Sequence, residues 1–467
     1  MQSFFFYDLE TSGLNPRSSR IMQFAGQRTD MDLQPMGEPI NVLVRLTDDV
    51  LPDPGAIMVT GITPQSTLSD GLTEPEFCKL LCEEVCSDDT ITVGFNSVRF
   101  DDEFIRHALW RNFYDPYEWC WSNGRSRWDL LDVVRLTRAL RPDGIEWPVT
   151  DDGKAVNKLE LITKANGLEH AKAHDALSDV EALIDVSRLI RDRQPKLFDY
   201  LLKMRDKKEI AKLVTLNDPQ PFVYASGRYD AAYQKTTVVY PLAAGPRSNS
   251  ILVYDLRVDP TPFLGATPAA LASVLFASWE QRQEPDFQRV PVKELILNKC
   301  PAVSPMGVLD DATQQRLEID LAAVQANRAT LRRNPSFGEA IAKAFEQREA
   351  FKPSTDPEAQ LYDGFIPDGD KRGLAAVRSA TAATITDVPA FSDSRLNELL
   401  FRYKARWYPG TLSEAESLKW EQYRSEKLRG QLPKYLELLQ ANAKEGKDSY
   451  LIEELQLWAE NVAPSDL

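Results

Sequence analysis

The feature that most constrains this chain is a pair of acidic residues at the end of an apolar run near its start. Residues 4–8 predict a buried strand, and Asp8 and Glu10 lie at its end, before the turn at Thr11-Ser12-Gly13. Because side chains alternate along a strand, the two carboxylates share one face. They repel each other unless a cation lies between them. Oxygen ligands without a nearby cysteine suit Mg²⁺ or Mn²⁺ better than zinc, so the pattern predicts a metal site.

Two further clusters supply the remaining candidates for this site. Asp101 follows a predicted strand at 90–94 and opens a helical pattern, and His174 and Asp179 lie in HAKAHDALSDVEAL. Four acids of this kind hold the two metal ions used in phosphodiester hydrolysis. A neutral His174 is the candidate general base, because histidine titrates near neutral pH.

Each of these residues also has an alternative role. Asp101 is a possible N-cap of the helix that it opens, and Asp179 is a possible solvated acid in a first helical turn. His170 and His174 stand four residues apart, as a zinc pair would, although no third nitrogen or sulfur ligand lies nearby. The joint placement of the four acids favours the catalytic interpretation.

The three clusters resemble a known family of nucleases. The sequences DLET, NSVRFD and HDALSD are similar to the three motifs of the DEDD exonucleases, and the third has the histidine form, DEDDh. Further segments along the whole chain, among them RNFYDPY, ALRPDGIEWP, NKCPAV, QLYDGF and FRYKARWYPGTL, resemble bacterial exonuclease I.

This resemblance implies both a fold and an activity. The fold is an RNase H-like α/β exonuclease domain with a mixed sheet, followed by an SH3-like β-containing domain and a helical C-terminal domain. The activity is Mg²⁺-dependent 3′→5′ hydrolysis of single-stranded DNA to 5′-mononucleotides, with two ions (Mn²⁺ as a substitute), carried out processively by a monomer in DNA repair or recombination. Asp8 would bridge the two ions, and Asp179 would bind the ion that activates water.

The pattern of elements divides the chain in the same way, at 1–195, 196–350 and 351–467. The first part predicts strands at 21–29, 40–46 and 90–94 and helices at 74–86, 101–110, 128–138, 159–166 and 176–191. Residues 192–202 are predicted to connect the first part of the chain to the second. Residues 222–297 predict several β-strands separated by turns, with a helical insert at 268–284. Apolar residues at helical spacing predict a helical bundle at 395–467.

The composition bears on the cellular compartment of the protein and on the partners that it can bind. The 467 residues contain no run of 18 apolar residues and no basic leader, so we expect neither a membrane span nor a signal peptide. Five unpatterned cysteines fit the reducing cytoplasm, and Cys78, Cys82 and Cys86 read as apolar filling of a helix. The net charge of −15 weakens the case for a nucleic-acid binder but does not exclude a local basic track.

Residues that would bind single-stranded DNA combine aromatic rings with cations. The segment 106–128 is rich in both, and we expect about half of the ten aromatic and arginine side chains from Trp110 to Trp128 to lie in the core. Tyr117 and Trp121 are the expected exposed stacking groups. The other candidates for substrate binding are Arg106, Arg135, Lys158, Lys207 and, by the family resemblance, Glu10. A basic cluster at Arg205, Lys207 and Lys208 reads equally well as a solvated helix face.

The resemblance also implies a partner, the acidic C-terminal tail of the single-stranded-DNA-binding protein. Arg141 and Tyr200 match positions of its pocket, and an arginine beside an apolar wall suits a terminal carboxylate. The alternative for Arg141 is an ion pair with Asp143 or Glu146. Two other functions fit the same chain: an RNA 3′-end-trimming enzyme and a non-catalytic binding scaffold, although the intact acids and histidine argue against the scaffold.

Overall fold

A computed structural model describes residues 2–168, 176–350 and 352–464 of the chain. The strands in this part of the chain are β1 (Ser3–Thr11), β2 (Ile21–Thr29), β3 (Ile40–Leu43), β4 (Thr90–Gly94), β5 (Ser126–Asp129), β6 (Phe222–Ala225), β7 (Thr236–Ala244), β8 (Ser250–Asp255), β9 (Val292–Ile296) and β10 (Val303–Pro305).

The helices fill most of the remaining chain. They are α1 (Pro54–Thr60), α2 (Pro64–Asp70), α3 (Glu74–Leu80), α4 (Asp101–Arg111), α5 (Leu130–Leu140), α6 (Leu159–Ala165), α7 (Ala176–Arg193), α8 (Pro195–Lys203), α9 (Lys207–Leu213), α10 (Pro268–Leu275), α11 (Asp311–Arg316), α12 (Leu321–Arg333), α13 (Pro335–Glu346), α14 (Lys371–Ser379), α15 (Ser394–Trp407), α16 (Glu414–Lys444) and α17 (Ser449–Val462).

The described residues form two compact units, which do not follow the order of the chain. The first unit contains residues 2–126, 176–181 and 352–464, and the second contains residues 127–168, 182–350. No helix among the described residues is both long and apolar enough to cross a membrane.

The first unit is built on a mixed sheet in which β3, β2, β1 and β4 lie side by side in that order. Strand β1 is central: it pairs antiparallel with β2 and parallel with β4. A core of rings and aliphatic side chains from β1, β2, α3 and α4 covers one face of the sheet, with Phe5, Tyr7, Phe24, Phe77 and Phe104 all buried. The predicted mixed sheet is therefore confirmed, and it places β1 where both its neighbours restrain it.

The C-terminal helices of the first unit pack directly on residues from the start of the chain. Met22 and Ile57 lie in one core with Tyr435, Leu439, Leu451, Leu455 and Ala459. Leu46 and Val50 lie in a second core with Leu428, Trp458 and Val462. These contacts fix the sheet and the C-terminal helices as one body.

A buried group of charges joins the same two parts of the first unit. Glu358 is 1% exposed, and its carboxylate receives Arg20 at 2.5 Å, Arg406 at 2.6 Å and Arg402 at 3.4 Å. Asp49, fully buried, receives Arg406 at 2.7 Å and Lys427 at 2.8 Å. We call these residues, Arg20, Asp49, Glu358, Arg402, Arg406 and Lys427, the buried ion cluster.

Burial alone would raise the pKa of the Asp49 and Glu358 carboxyls, but the surrounding cations more than offset it. Arg406 and Lys427 hold the pKa of Asp49 well below its ordinary value, and Arg406 and Arg20 do the same for Glu358. Both groups therefore remain ionised at neutral pH. They bridge positions more than 300 residues apart in sequence.

The second unit contains a five-stranded antiparallel sheet with strand order β10-β6-β7-β8-β9. Its inner face buries Phe222, Val239, Val253, Leu295 and Val303 against residues of α8 and α9 and the segments that follow them. Helix α13 packs against β7, and α10 packs against α13. The strand texture expected at 222–297 is thus confirmed, including the helical insert, which begins at Pro268 as expected and runs as α10 to Leu275.

Several boundaries differ from the sequence-based expectations. The helix predicted at 128–138 begins later, because Ser126–Asp129 is a strand and the Asp129 carboxylate caps α5 by accepting from the Leu131 N–H. The expected connector at 192–202 is helical: α7 continues to Arg193, and Pro195 begins α8. Helices α1 and α2 were not predicted, and both begin with a proline after a side-chain cap, Asp53 or Thr63.

The cysteine prediction is confirmed. Cys78 and Cys86 are buried in the core beneath the first sheet and Cys82 packs against it, with the chain passing from α3 into one π-helical turn at Leu81–Val85. Burial raises the pKa of all three thiols, which disfavours the reactive thiolate.

We predict that Glu358→Gln lowers the free energy of unfolding by about 3 kcal/mol, because it leaves buried arginines without their counter-charge. Denaturant unfolding of the purified full-length chain measures this change. Glu437→Gln, an exposed acid on α16, is the matched control and should stay within about 0.5 kcal/mol of wild type. Equal stability of the two variants would mean that Glu358 does not compensate the charges of the buried arginines.

The same cluster fixes the sign of the pH dependence. Because the native pKa values of Asp49 and Glu358 are depressed, their contribution is complete above about pH 4–5 and is lost as the pH falls through the native values. Wild type should therefore lose stability steeply on acidification, and Glu358→Gln should lose less.

Candidate nuclease active site

Strand β1 presents two carboxylates from an otherwise buried element. Of its nine residues only Asp8 and Glu10 are partly accessible, and they lie on the same face, as the alternation predicts. The strands on both sides hold the β1 backbone by hydrogen bonds, so neither residue can turn away by moving the strand.

Asp179, in the first turn of α7, completes a cluster with these two residues. Carboxylate oxygens of Asp8, Glu10 and Asp179 lie within 4.8 Å of one another, and all three side chains are partly accessible. The sequence separates Asp179 from β1 by about 170 residues, yet the fold brings it to the same point.

Asp101 approaches from the start of α4. It is 5% exposed and is the first helical residue; Phe100 occupies the N-cap position, so the alternative that Asp101 is the helix cap is wrong. Burial is the main cause that raises the pKa of Asp8 well above its ordinary value, and the charge of Asp101 is the largest electrostatic contribution, followed by Glu10 and Asp179. Asp101 therefore belongs to the electrostatic environment of the three-carboxylate cluster.

A tight turn sets the position of α4 relative to β1. A side chain at Gly94, the last residue of β4, would come within 2.5 Å of the Ser97 Cβ, and Asn96 adopts a left-handed φ of 65°. Next to this turn, the Tyr7 hydroxyl donates a 2.6 Å hydrogen bond to Asp102. This hydrogen bond connects β1, next to Asp8, to the first turn of α4.

The donor set fits a hard divalent cation. Ligands on opposite sides of one Mg²⁺ ion, at about 2.1 Å each, are about 4.2 Å apart, close to the spread of the three carboxylates. All of these donors are oxygen atoms, and the raised pKa of Asp8 is what clustered acids show without a counter-charge. A bound cation would supply that charge, with Asp8, Glu10 and Asp179 as ligands and Asp101 beside them.

His174 and His170 lie outside the described residues, so the general base and the zinc pair remain sequence-based predictions. The third histidine, His107, is buried on α4. Its Nδ1 lies 3.2 Å from the Glu358 carbonyl oxygen, and burial lowers its pKa to about 3. This contact with the backbone gives His107 a structural role.

Family models cover nearly the whole chain in three consecutive segments. An exonuclease model matches residues 5–187, an exonuclease I SH3-like domain model matches residues 205–347, and an exonuclease I C-terminal domain model matches residues 355–462. Exodeoxyribonuclease I from Haemophilus influenzae is 43% identical over 91% of this chain and 90% of its own length. The Escherichia coli enzyme is 39% identical over 98% of both.

The chain belongs to the exodeoxyribonuclease I family. It is an exonuclease, and the predicted fold, an exonuclease domain followed by SH3-like and helical C-terminal domains, is confirmed.

Solved structures agree over the full length. Exonuclease I from Methylocaldum szegediense has a TM-score of 0.94 at 41% identity, and E. coli exonuclease I in complex with a dA16 oligonucleotide has 0.95 at 38%; each covers 99% of this chain and 100% of its own. A structure of SSB/exonuclease I with the inhibitor CFAM has a TM-score of 0.90 at 36% identity, with the same coverage. A zinc-bound E. coli exonuclease I–ssDNA complex has 0.94 at 37%, covering 99% of both chains.

The aromatic segment of this exonuclease divides as expected. Of the ten aromatic and arginine side chains from Trp110 to Trp128, five are buried: Trp110, Arg111, Phe113, Trp119 and Trp128. Trp121 is 64% exposed, as expected, whereas Tyr117, which was also expected to be exposed, is partly buried. Arg106 is buried, with an ion pair to Glu103 at 2.8 Å and its guanidinium 5.6 Å from the centre of the Tyr117 ring. Arg106 thus supports the Tyr117 ring directly.

Two exposed aromatic residues near Tyr117 were missed by the sequence analysis. Tyr362 lies 6.4 Å from Tyr117 between ring centres and is 47% exposed, and Phe365 is 93% exposed. Tyr117, Phe365 and Lys371 line a cavity of about 440 Å³ within the first unit. Both residues lie in the QLYDGF segment quoted above, but a sequence does not show which of its rings reach solvent.

The cationic candidates of the second unit differ in their environments. Arg135 is largely buried, with Asp132 at 2.6 Å, and its guanidinium lies against the Gly227 backbone. Lys158 is the N-cap residue of α6 and its side chain is 69% exposed, with Glu160 at 3.8 Å. Lys207, the first residue of α9, is exposed, as is Lys208.

The proposed partner residues also lie in the second unit. Arg141 donates hydrogen bonds to the Val308 carbonyl at 3.2 and 3.3 Å, and its ion-pair partner is Asp310 at 3.9 Å rather than Asp143 or Glu146. Its side chain is 37% exposed. Tyr200 is partly buried against the core of the antiparallel sheet, and burial raises its pKa to about 12.

We predict that Asp8→Asn abolishes tight Mn²⁺ binding by the metal-free enzyme and yet raises its stability by about 0.5–2 kcal/mol. Removing one charge relieves the repulsion among the clustered acids but also removes a ligand. Calorimetric titration with Mn²⁺ and thermal unfolding in EDTA measure the two effects.

Glu38→Gln, an exposed acid outside the cluster, is the control and should change neither quantity. Retention of wild-type Mn²⁺ affinity by Asp8→Asn would remove Asp8 from the ligand set.

Proposed function

We propose that this exonuclease hydrolyses single-stranded DNA from its 3′ end to 5′-mononucleotides, with two Mg²⁺ ions as cofactor. The observation that carries the proposal is the cluster of Asp8, Glu10 and Asp179, with Asp101 beside it, at the end of the central strand. The E. coli relative complexed with dA16 supports DNA as the substrate.

The acids and His174 divide the chemistry between them. When bound, the metal ions stabilise charge on the phosphoryl oxygens and make water a better nucleophile. Asp8, Glu10, Asp101 and Asp179 would hold the ions, and Glu10 would also contact the substrate. His174 takes the proton of the attacking water at an imidazole nitrogen. The raised pKa of Asp8 implies that metal binding displaces protons, so activity falls at acidic pH.

Exposed rings favour a single-stranded substrate. Bases in a duplex are stacked on each other, whereas free bases can stack on the exposed rings of Trp121 and Phe365 and on the accessible part of Tyr117. Lys158 and Lys207 are exposed cations that can contact DNA phosphates. Arg106 and Arg135, which we also propose to bind the substrate, are more buried. The alternative substrate, RNA, uses the same cluster of acids, and a substrate panel separates the two.

The cellular setting forms part of the proposal. We assign the enzyme to DNA repair or recombination in the cytoplasm, acting processively as a monomer. The five cysteines, all without disulfides, support a reducing compartment. The SSB/exonuclease I structure supports a complex with single-stranded-DNA-binding protein, whose acidic tail we place at Arg141 and Tyr200.

The proposed function is tested on matched single-stranded DNA, duplex DNA and RNA, each labelled at the 5′ end, with Mg²⁺ or EDTA. We expect Mg²⁺-dependent shortening of the single-stranded DNA from its 3′ end. His174→Ala should lower kcat by about 10²–10⁴-fold with Mn²⁺ affinity unchanged. Faster degradation of RNA than of DNA would favour the RNA-trimming enzyme. If kcat of His174→Ala falls by less than about tenfold, His174 is not the general base.

Base stacking predicts that Trp121→Ala and Phe365→Ala each weaken binding of a dT oligonucleotide by about 1–3 kcal/mol in EDTA, where no hydrolysis occurs. Fluorescence anisotropy measures the affinity. Trp279→Ala, which removes another exposed tryptophan (71% exposed) from the second unit, is the comparison. If all three variants bind as wild type does, stacking on these rings does not hold the strand.

Arg141→Ala should bind a labelled peptide of the acidic tail at least about tenfold more weakly while degrading naked DNA normally, because it removes the guanidinium that pairs with the terminal carboxylate. Asp310→Asn is the control: it removes the native counter-charge of Arg141 and should not weaken the peptide. Equal peptide affinity for wild type and Arg141→Ala would place the tail elsewhere.

A further inference from the structure

A second cavity in the first unit has a strongly cationic wall. It encloses about 280 Å³ and is lined by four cationic residues, Arg17, Arg20, Arg402 and Lys427, against two acids, Asp356 and Glu358. Ser18, Thr355 and Tyr423 add hydroxyl groups, and Gln431 completes the lining. In a protein of net charge −15, such an excess of positive charge around one cavity requires an explanation.

The native ion pairs leave hydrogen-bond donors unused in this wall. All the hydrogen bonds of Arg402 within the described structure come from Nη1, to Asp356, Glu358 and the Tyr423 hydroxyl, so the native contacts leave its Nη2 without a hydrogen bond. Lys427 uses one of its three ammonium donors, on Asp49 at 2.8 Å.

Arg17 adds a charge that the native ion pairs do not neutralise. Within the described parts of the chain, no carboxylate lies within ion-pair distance of its side chain, which is exposed at the rim. Its backbone is fixed, because the Arg17 N–H donates to Asn15 Oδ1 at 3.1 Å and the next two amides donate to the Asn15 carbonyl. The guanidinium therefore projects from an ordered turn rather than from a loose loop.

We propose that this cavity is a binding site for a phosphate dianion, either inorganic phosphate or the phosphate monoester of a mononucleotide. Guanidinium, ammonium and hydroxyl donors converging from separate elements match the several oxygens of a tetrahedral phosphate. The volume exceeds that of phosphate alone and leaves room for a small organic group. The site is independent of the metal-binding acids and does not rest on the proposed nuclease reaction.

Phosphate bound in this cavity would be linked, through Arg20, to the strand β1 that carries Asp8 and Glu10. Two hydrogen bonds join the Arg20 backbone to Ser12 in the turn after β1: the Arg20 N–H donates to the Ser12 side-chain Oγ at 2.8 Å, and the Arg20 carbonyl accepts from the Ser12 N–H at 2.8 Å. Its guanidinium meanwhile holds Glu358. An anion at Arg20 thus contacts a residue tied to both the active-site turn and the C-terminal helices.

The test uses the full-length enzyme in EDTA, so that no metal can carry phosphate to the acids, at constant ionic strength. Titration with inorganic phosphate, followed by calorimetry and thermal unfolding, should give saturable binding and a raised Tm. Arg17→Gln should weaken phosphate at least about fivefold, whereas Arg372→Gln, an exposed arginine of α14, should not. Asp8→Asn should bind phosphate as wild type does.

Further titrations distinguish a mononucleotide from free phosphate as the ligand of this cavity. Tighter binding of deoxyadenosine 5′-monophosphate than of phosphate assigns the site to a nucleotide, and equal binding assigns it to free phosphate; deoxyadenosine alone should not bind. Lys427→Gln should weaken phosphate as well, and if it does not fold, Arg17→Gln decides. Equal affinity in Arg17→Gln and wild type, or equal binding of succinate, would overturn the proposal.

Discussion

The repulsion between carboxylates at the end of β1 is the constraint around which the first unit is built. Asp8 and Glu10 project from one strand, and Asp101 and Asp179 approach from two helices, so like charges are held together before any cation arrives. A flexible chain would separate them. Hydrogen bonding of β1 on both sides and the buried core beneath it prevent that movement. The cluster is therefore preorganised, and the free energy stored as repulsion is released when a divalent ion binds.

The buried ion cluster of the same unit differs from the acidic cluster because its charges attract each other. There the charges are complementary, and Glu358 and Asp49 are each held by cations from distant parts of the chain. Such a pair adds little net stability compared with apolar packing, but it tolerates few alternative arrangements, because any misplaced member leaves a buried charge alone. We infer that its main contribution is to fix how the C-terminal helices sit on the sheet that carries the active-site acids.

Local patterns predicted the elements that carry the acids. The alternation at Asp8 and Glu10, the strand before Asp101 and the helix after Ala176 all follow from periodicity. What periodicity does not encode is long-range: the exposure of Phe365, the pairing of Arg141 with Asp310, and the buried ion cluster all depend on contacts between distant segments. The strand at Trp128 was mistaken for helix because four residues before a capped helix carry too short a pattern.

The discontinuous path of the first unit has a consequence for synthesis of the protein on the ribosome. Met22 and Ile57 are covered by residues that end near Val462, so the early part of the chain emerges with apolar surface that nothing yet covers. About 336 further residues follow Ser126 before Val462 appears, which takes roughly 17–70 s at the usual rate of translation. During that interval the nascent sheet depends on chaperones or on its own partial core, and the nuclease reaches its final form only when translation is nearly finished.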